Sequence, residues 1–478
     1  MRFYILTKSF LEPARKLYRC GRQCREEKSL KEPSFMDKAI ASISPPLPTY
    51  TLHEAMPRLT CPRPEQFAGQ RVLVVGIGNT ACEVSLSLTS HAATVYQSYR
   101  RGRIIISRYD DGGVPTDLTP WPAMQFKYML GHKTPWLANP LANRLMMKTM
   151  IHDAARHELQ EPSLSGRERR IRAEKKVKGD WRLVPFPSME VTHPAVQDDF
   201  MSALYSGCVS PVRGFKAFTG ANKVLLDDGS TVEVDAVIFC TGYTIDFGLM
   251  PELEMDGACG VPLTTAGQTG SLAGARREPP LPRLHHMMFP PRWASSVAFL
   301  SWISALETAW CVCELASTAV AQIWATDTAR RLTPSPPPPP EGYQKPAQLP
   351  SEAKMNASVD AYHAWWRRGW AKEPSAHPGF IRPYTFYRFL HDMAGTGMYD
   401  HVGHKFSLRN LRLRWKDRSL HKCLSQGPPI SHAWRVFDTN PEGIPGCGRR
   451  VWPHARQAVE DAVSLCRLSI QLCYVLSV

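Results

Sequence analysis

An α/β architecture with a helical carboxyl-terminal extension is predicted by three stretches of this 478-residue chain. Arg71-Val-Leu-Val-Val-Gly-Ile-Gly-Asn-Thr-Ala-Cys-Glu-Val84 reads as a buried strand, a glycine turn and a helix start. Lys223–Val234 reads as two short strands about Asp228-Gly229, and it leads straight into the apolar run Asp235-Ala-Val-Ile-Phe-Cys-Thr-Gly-Tyr243. Beyond residue 351, Tyr362, Trp365, Trp366, Trp370, Tyr384, Phe386, Tyr387 and Phe389 fall in helical clusters, where core packing explains them.

The first stretch carries the chemistry. Arg71–Val75 supplies the strand, Gly76 the tight turn, and Gly78 a backbone that a phosphate can approach. Ala81 stands third in the G-x-G-x-x-G/A pattern, where a small residue suffices for helix–strand packing. The helix that opens at Asn79 and Thr80 points its first N–H groups at an anion. A second strand, Thr94–Tyr99, ends about 20 residues beyond the glycines, where an acidic side chain would accept from a ribose 2′-OH. This chain has Ser98, Arg100 and Arg101 instead. A guanidinium suits a 2′-phosphate, so the spacing predicts NADP(H) rather than NAD. The alternative is a glycine turn in an ordinary α/β core with solvated arginines. The apolar run to Tyr243 is a second candidate: Thr241 and Gly242 sit at a strand's carboxyl end, where α/β sheets bind ligands.

The length allows two or three domains. A net charge of +15 is compatible with an anionic cofactor or an acidic surface. Its densest basic run, Gly166–Lys178, has no interleaved aromatic and includes Glu168 and Glu174. It reads as a solvated segment, and a nucleic-acid partner is not expected. The 13 cysteines show no metal or disulfide framework, which points to reduced thiols, no metal and a cytoplasmic protein. The basic opening Met1–Glu26 has too short an apolar patch for a secretory leader. Ala294–Ala325 is the most apolar long stretch, but Glu307 and Glu314 interrupt it, so no membrane span is expected.

Composition shifts set the expected boundaries. Residues 1–65 are Pro-, Lys- and Arg-rich and read as irregular. Residues 66–210 form the nucleotide-binding domain, including a loop at Asp110, Asp111, Gly112, Gly113 and Pro115. Residues 211–330 form a second part, with 251–282 a loop and 294–326 helical. Residues 331–350 are a proline-rich linker, and 351–478 a helical extension.

Taken together, these pieces resemble the flavin-containing monooxygenases, in particular their fungal dimethylaniline-monooxygenase-like branch. Phe67–Ala81 is similar to that family's NADPH-binding glycine motif, and Ser98-Tyr-Arg-Arg-Gly102 to its 2′-phosphate arginine segment. Val237–Tyr243 looks like its ATGY strand end. Met288–Ala298, Phe386–Tyr399 and Phe437–Gly446 also look like the fungal branch. The resemblance implies an NADPH domain of Rossmann type inserted in a flavin domain. It further implies that NADPH reduces FAD, that O2 adds to give a flavin C4a-hydroperoxide, and that oxygen passes to a soft amine nitrogen or sulfur of a small molecule. No catalytic residue and no oligomeric state is assigned.

One departure bears on function. The family opens with its own strand–GxGxxG–helix for FAD, followed by an acidic residue, and neither precedes Gln66 here. The family's hydroperoxide-stabilising Asn and its Phe-x-Gly-x-x-x-His segment are missing as well. Glu83 stands where Asp is common. The expectation is therefore an incomplete flavin domain with impaired oxygenation. The alternative is an inactive NADP(H)-binding relative or a partial gene model.

Overall fold

The computed structural model describes residues 4–7, 49–51 and 64–476, apart from 112, 117, 159–162, 243–246, 248, 256–257, 264–277, 301, 306, 334–340, 342–346 and 445–446. The chain divides into two compact units. One contains Cys20–Tyr109 and Asn139–Thr244; the other contains Met1–Arg19, Asp110–Ala138 and Ile245–Val478.

The first unit is built on a five-stranded, all-parallel sheet. Its strand order is Thr49–Thr51, Ala236–Phe239, Arg71–Val75, Thr94–Ser98 and Val209–Val212. The near-continuous Val/Leu content of the central strands suits a sheet covered on both faces. Side chains alternate between those faces. Val72 and Val74 pack with Ala81, Val84 and Leu88 of the Asn79–Leu88 helix, and with Met150 and Phe200. Leu73 and Val237 point the other way, onto Val224, Leu226 and Val234. These last residues belong to or follow a three-stranded antiparallel sheet, Phe215–Gly220, Lys223–Leu226 and Thr231–Glu233. The hairpin expected at Asp228-Gly229 is there, and Gly229 takes φ +85°, as a tight turn requires. The basic run is a mostly exposed helix, Gly166–Lys175, begun by a Ser165–Glu168 capping box.

The second unit has an aromatic-rich helical core. Trp121 and Tyr128, from the helix Trp121–Lys133, pack with Trp324 of Ala309–Leu332, with Phe386 and Tyr387 of Pro383–Ala394, and with Val459 and Val463 of Ala455–Leu476. The indole N–H of Trp302 donates to the Met287 carbonyl at 2.6 Å and that of Trp324 to the Ala294 carbonyl at 3.0 Å, so neither buried donor is orphaned. No helix among the described residues is long and apolar enough to cross a membrane.

Several expectations need correcting. The segment 1–65, read as irregular, contributes two strands: Thr49–Thr51 at the edge of the parallel sheet, and Tyr4–Thr7 antiparallel to Val297–Leu300. Pairing partners some 190 and 290 residues away leave no local signature, which is why a local reading misses such strands. Residues 294–326 are not one helix, because Val297–Leu300 is a strand and the helix begins at Ala309. A short apolar run is compatible with either element. The boundaries 66–210, 211–330 and 351–478 also shift. Residues 211–244 belong with the nucleotide motif, because Ala236–Phe239 lies beside Arg71–Val75 in the same sheet. Residues 110–138 and 351–478 share one unit and one core with 245–330. Most of the proline run of the 331–350 linker lies outside the described residues.

Candidate dinucleotide site

Parallel register brings the candidate residues to one edge. Val75 lies opposite both Ser98 and Phe239, and Ser98 lies opposite Val212. Four strands therefore end level, and the segments beginning at Gly76, Tyr99, Arg213 and Cys240 leave the sheet side by side. This is the carboxyl edge, where open α/β sheets place ligands.

Gly76 makes the turn. Its φ is +133°, a conformation that favours glycine. A Cβ there would lie 2.3 Å from the Cys240 carbonyl oxygen, so the exit of the neighbouring strand presses directly on the turn. The Gly76 N–H donates to the Ser98 carbonyl at 2.9 Å, and its own carbonyl accepts from Gln97 Nε2. Gln97 is fully buried and accepts the Ser85 hydroxyl proton through Oε1. The turn is thus clamped to the second strand and to the helix.

Gly78 differs. It is the N-cap of the Asn79–Leu88 helix, and a Cβ on it would meet nothing within 4 Å. Gly78 has no side chain to cap that helix start, and among the described residues no side chain is seen to accept from its first N–H groups. An uncapped helix N-terminus beside an open glycine is the cradle a pyrophosphate needs. Ala81 is fully buried against the sheet. The Asn79 side chain is engaged, accepting from the Val196 N–H at 3.0 Å, and Thr80 is half-buried.

The second strand ends in the basic segment. Arg100 and Arg101 are exposed. Two glycines aim this segment. A Cβ on Gly102 would lie 2.0 Å from the Leu183 carbonyl oxygen, and one on Gly214 would lie 2.2 Å from Arg100 Cγ. Ser98 stands apart from the arginines in character. It is fully buried and donates its hydroxyl to the Arg213 carbonyl at 2.7 Å, which ties two strand ends together. Thr241 and Gly242 emerge exposed next to the Gly76 turn, with Gly242 at φ +105°. Tyr243 lies outside the described residues.

Gln97, Gly214 and Cys240 were not among the residues singled out from sequence. Gly214 carried a weak signal, a glycine two positions beyond a strand end. Gln97 within the strand Thr94–Ser98 carried another, since a buried amide needs partners.

This edge is that of an α/β sheet of Rossmann type. Residues 59–178 match the model of the flavin-binding monooxygenase-like family. Among curated proteins, the chain is 28% identical over 396 residues to monooxygenase aurF of Gibberella zeae, covering 83% of this chain and 64% of that protein. It is 30% identical over 191 residues to human flavin-containing monooxygenase 5, covering 40% of this chain and 30% of that protein. The chain thus spans under two thirds of the length of these relatives. Among solved structures, cyclohexanone monooxygenase in its rotated, cyclohexanone-bound form aligns with a TM-score of 0.40 at 12% identity, over 74% of this chain and 69% of that one. Over these stretches the chain is similar to flavin-containing monooxygenases.

Proposed function

We propose that this chain binds NADP(H) at the carboxyl edge of its parallel sheet, as the nucleotide-binding part of a monooxygenase acting on a small nucleophilic molecule. The observation that carries this reading is the pairing of an open, uncapped helix start at Gly78 with exposed arginines beyond the neighbouring strand. Gly76 and Gly78 would admit the pyrophosphate, and the N–H groups of Asn79, Thr80 and Ala81 would face it. Arg100, with Arg101, would hold the 2′-phosphate, while Thr241 and Gly242 would flank the cradle from the adjacent strand. Ser98 acts from within, bracing the strand that presents the arginines. When bound, the nicotinamide supplies hydride; the protein binds it, orients it and excludes water.

Arg100→Ala is expected to weaken NADPH binding about 10- to 100-fold, the loss of a charge-assisted contact, and to leave NADH nearly unchanged. Fluorescence titration with both nucleotides checks this. Equal weakening of both would remove Arg100 from 2′-phosphate recognition.

The family's oxygen chemistry also requires a flavin. Among the described residues, Arg71–Val75 is the one strand that runs through a glycine turn into a helix, so a second pyrophosphate cradle is not found there. No step is therefore assigned to a flavin in this chain. Incubated with FAD and desalted, the chain as given is expected to keep little flavin absorbance while still binding NADPH. Retained flavin bands that bleach with NADPH would overturn the expected impairment and favour a working monooxygenase.

A further inference from the structure

The helix Leu408–Lys416 of the second unit turns an apolar side outward. It is seated through other residues. Asn410 is buried, and its side-chain amide donates to the His401 carbonyl at 2.8 Å. Leu413, three residues on, packs against the aromatic core. Leu408, Leu411 and Trp415 recur at the i, i+3, i+7 spacing of one helix face, turned away from Asn410. Leu408 and Trp415 are each 85% exposed and Leu411 is 44% exposed, while Phe406, just before the helix, is 90% exposed. Large apolar side chains grouped in this way and rimmed by charge mark a surface that something covers.

The charge says what covers it. Lys405, Arg412, Arg414, Lys416, Arg418 and Lys422 are exposed, and among the described residues none of them has an ion-pair partner. The acids of the adjoining helices are largely matched. Asp400 pairs with Arg409, Asp392 with Arg388, and both Asp417 and Glu460 with Arg456. Asp461 is hydrogen-bonded to Gln457 at 2.8 Å. Arg456 is shared by two carboxylates, so one negative charge there and that of Asp461 remain against the six cations, and the surface stays positive. The leucines narrow the choice further. Stacking on nucleic-acid bases uses ring faces, which Leu408 and Leu411 lack. The boundary of a bilayer takes Leu, Phe and Trp alike, and acidic headgroups neutralise the lysines and arginines around them.

We propose that the segment 405–418 docks this chain on an anionic membrane surface. Phe406, Leu408, Leu411 and Trp415 enter the boundary between headgroups and acyl chains, and the unmatched lysines and arginines lie on the headgroups. This is attachment to a surface and not a span, and it neither requires nor tests the nucleotide site.

Co-sedimentation of the full chain with vesicles of phosphatidylcholine alone, and of phosphatidylcholine with phosphatidylserine at about 3:1, tests the proposal. Binding to the anionic vesicles is expected to be at least about tenfold tighter, and to weaken as salt rises from about 0.1 M to about 1 M. Phe406→Ser with Trp415→Ser should weaken it about tenfold or more, by removing the inserted rings. Arg412→Gln with Lys416→Gln should also weaken it about tenfold or more, by removing two charges from the headgroup layer. Both double variants alter exposed side chains and should leave the melting temperature unchanged. Equal binding to neutral and anionic vesicles, or an unchanged affinity in either double variant, overturns the proposal. A single-stranded oligonucleotide bound more tightly than the anionic vesicles would make the patch a nucleic-acid surface instead. A dimer lost in Phe406→Ser with Trp415→Ser, without vesicle binding by the parent chain, would make it a contact between copies and would equally overturn the assignment.

Discussion

Gly76→Ala is expected to lose both folding stability and nucleotide binding, whereas Gly78→Ala keeps the fold and loses binding alone. The two glycines stand two residues apart and look interchangeable in sequence, but their surroundings differ. At Gly76 an added methyl would meet the Cys240 carbonyl oxygen at 2.3 Å, at a φ of +133° that side chains rarely adopt. Backbone strain of about 1–3 kcal/mol and overpacking of a similar size act together there. A destabilisation of roughly 2–5 kcal/mol should lower the urea midpoint clearly. At Gly78 the methyl would enter open space at the helix start, where it stands in the way of a phosphate rather than of the protein. An unchanged urea midpoint should then accompany an NADPH affinity reduced tenfold or more, about 1.4 kcal/mol or above. A Gly76→Ala protein as stable as the parent would contradict the packing argument. A Gly78→Ala protein with full NADPH affinity would sink the cradle.

Acid is expected to destabilise the helical unit well before carboxylate titration does. Burial pushes the imidazole of His391 down to about 3, with the nearby Arg449 and Arg388 adding to the effect. Burial also lowers His285 to about 4, and it lowers His363 to about 4. All three are nearly inaccessible to solvent: His391 lies edge-on among Trp121, Tyr399 and Trp434, and His285 packs against His286 and Phe389. A folded-state pKa below the unfolded value of about 6.5 means that the unfolded chain binds more protons below that pH. Stability is therefore full above about pH 6.5 and falls toward the folded pKa values. Glu307 acts in the opposite sense. Burial raises it to about 7, so it contributes stability at low pH that is lost as pH rises through about 4.5 to 7. Burial lowers His286, beside His285, to about 3 as well, so four imidazoles against one carboxyl leave a net proton uptake on unfolding, and stability falls as pH drops below about 6.5. Urea midpoints at pH 7.5 and 5 should differ accordingly, and His391→Gln should flatten the dependence. A midpoint insensitive to pH across this range would show that the imidazoles are hydrated in the folded protein.

Local spacing was enough to read the strand–turn–helix unit, the Asp228-Gly229 hairpin and the helices that carry Tyr362 to Phe389. Each is a short-range pattern of apolar period, glycine freedom and caps, and it survives in a linear reading. For the same reason the glycine pair, Ala81 and the Arg100–Arg101 pair were legible as candidates. Tertiary structure decided what those candidates do. Gly76 is pinned by a carbonyl more than 160 residues away, while Gly78 is left open. Ser98, expected beside the arginines as a ligand group, is instead a buried brace to Arg213. The edge strand at 49–51, the place of residues 211–244 beside the motif, and the single core shared by 110–138 and 351–478 all depend on contacts between distant segments. Sequence alone displays which residue types could bind a dinucleotide. Which of them face open space and which are spent on packing is settled only when strands far apart in the chain align in register, because exposure and close approach are properties of neighbours in space.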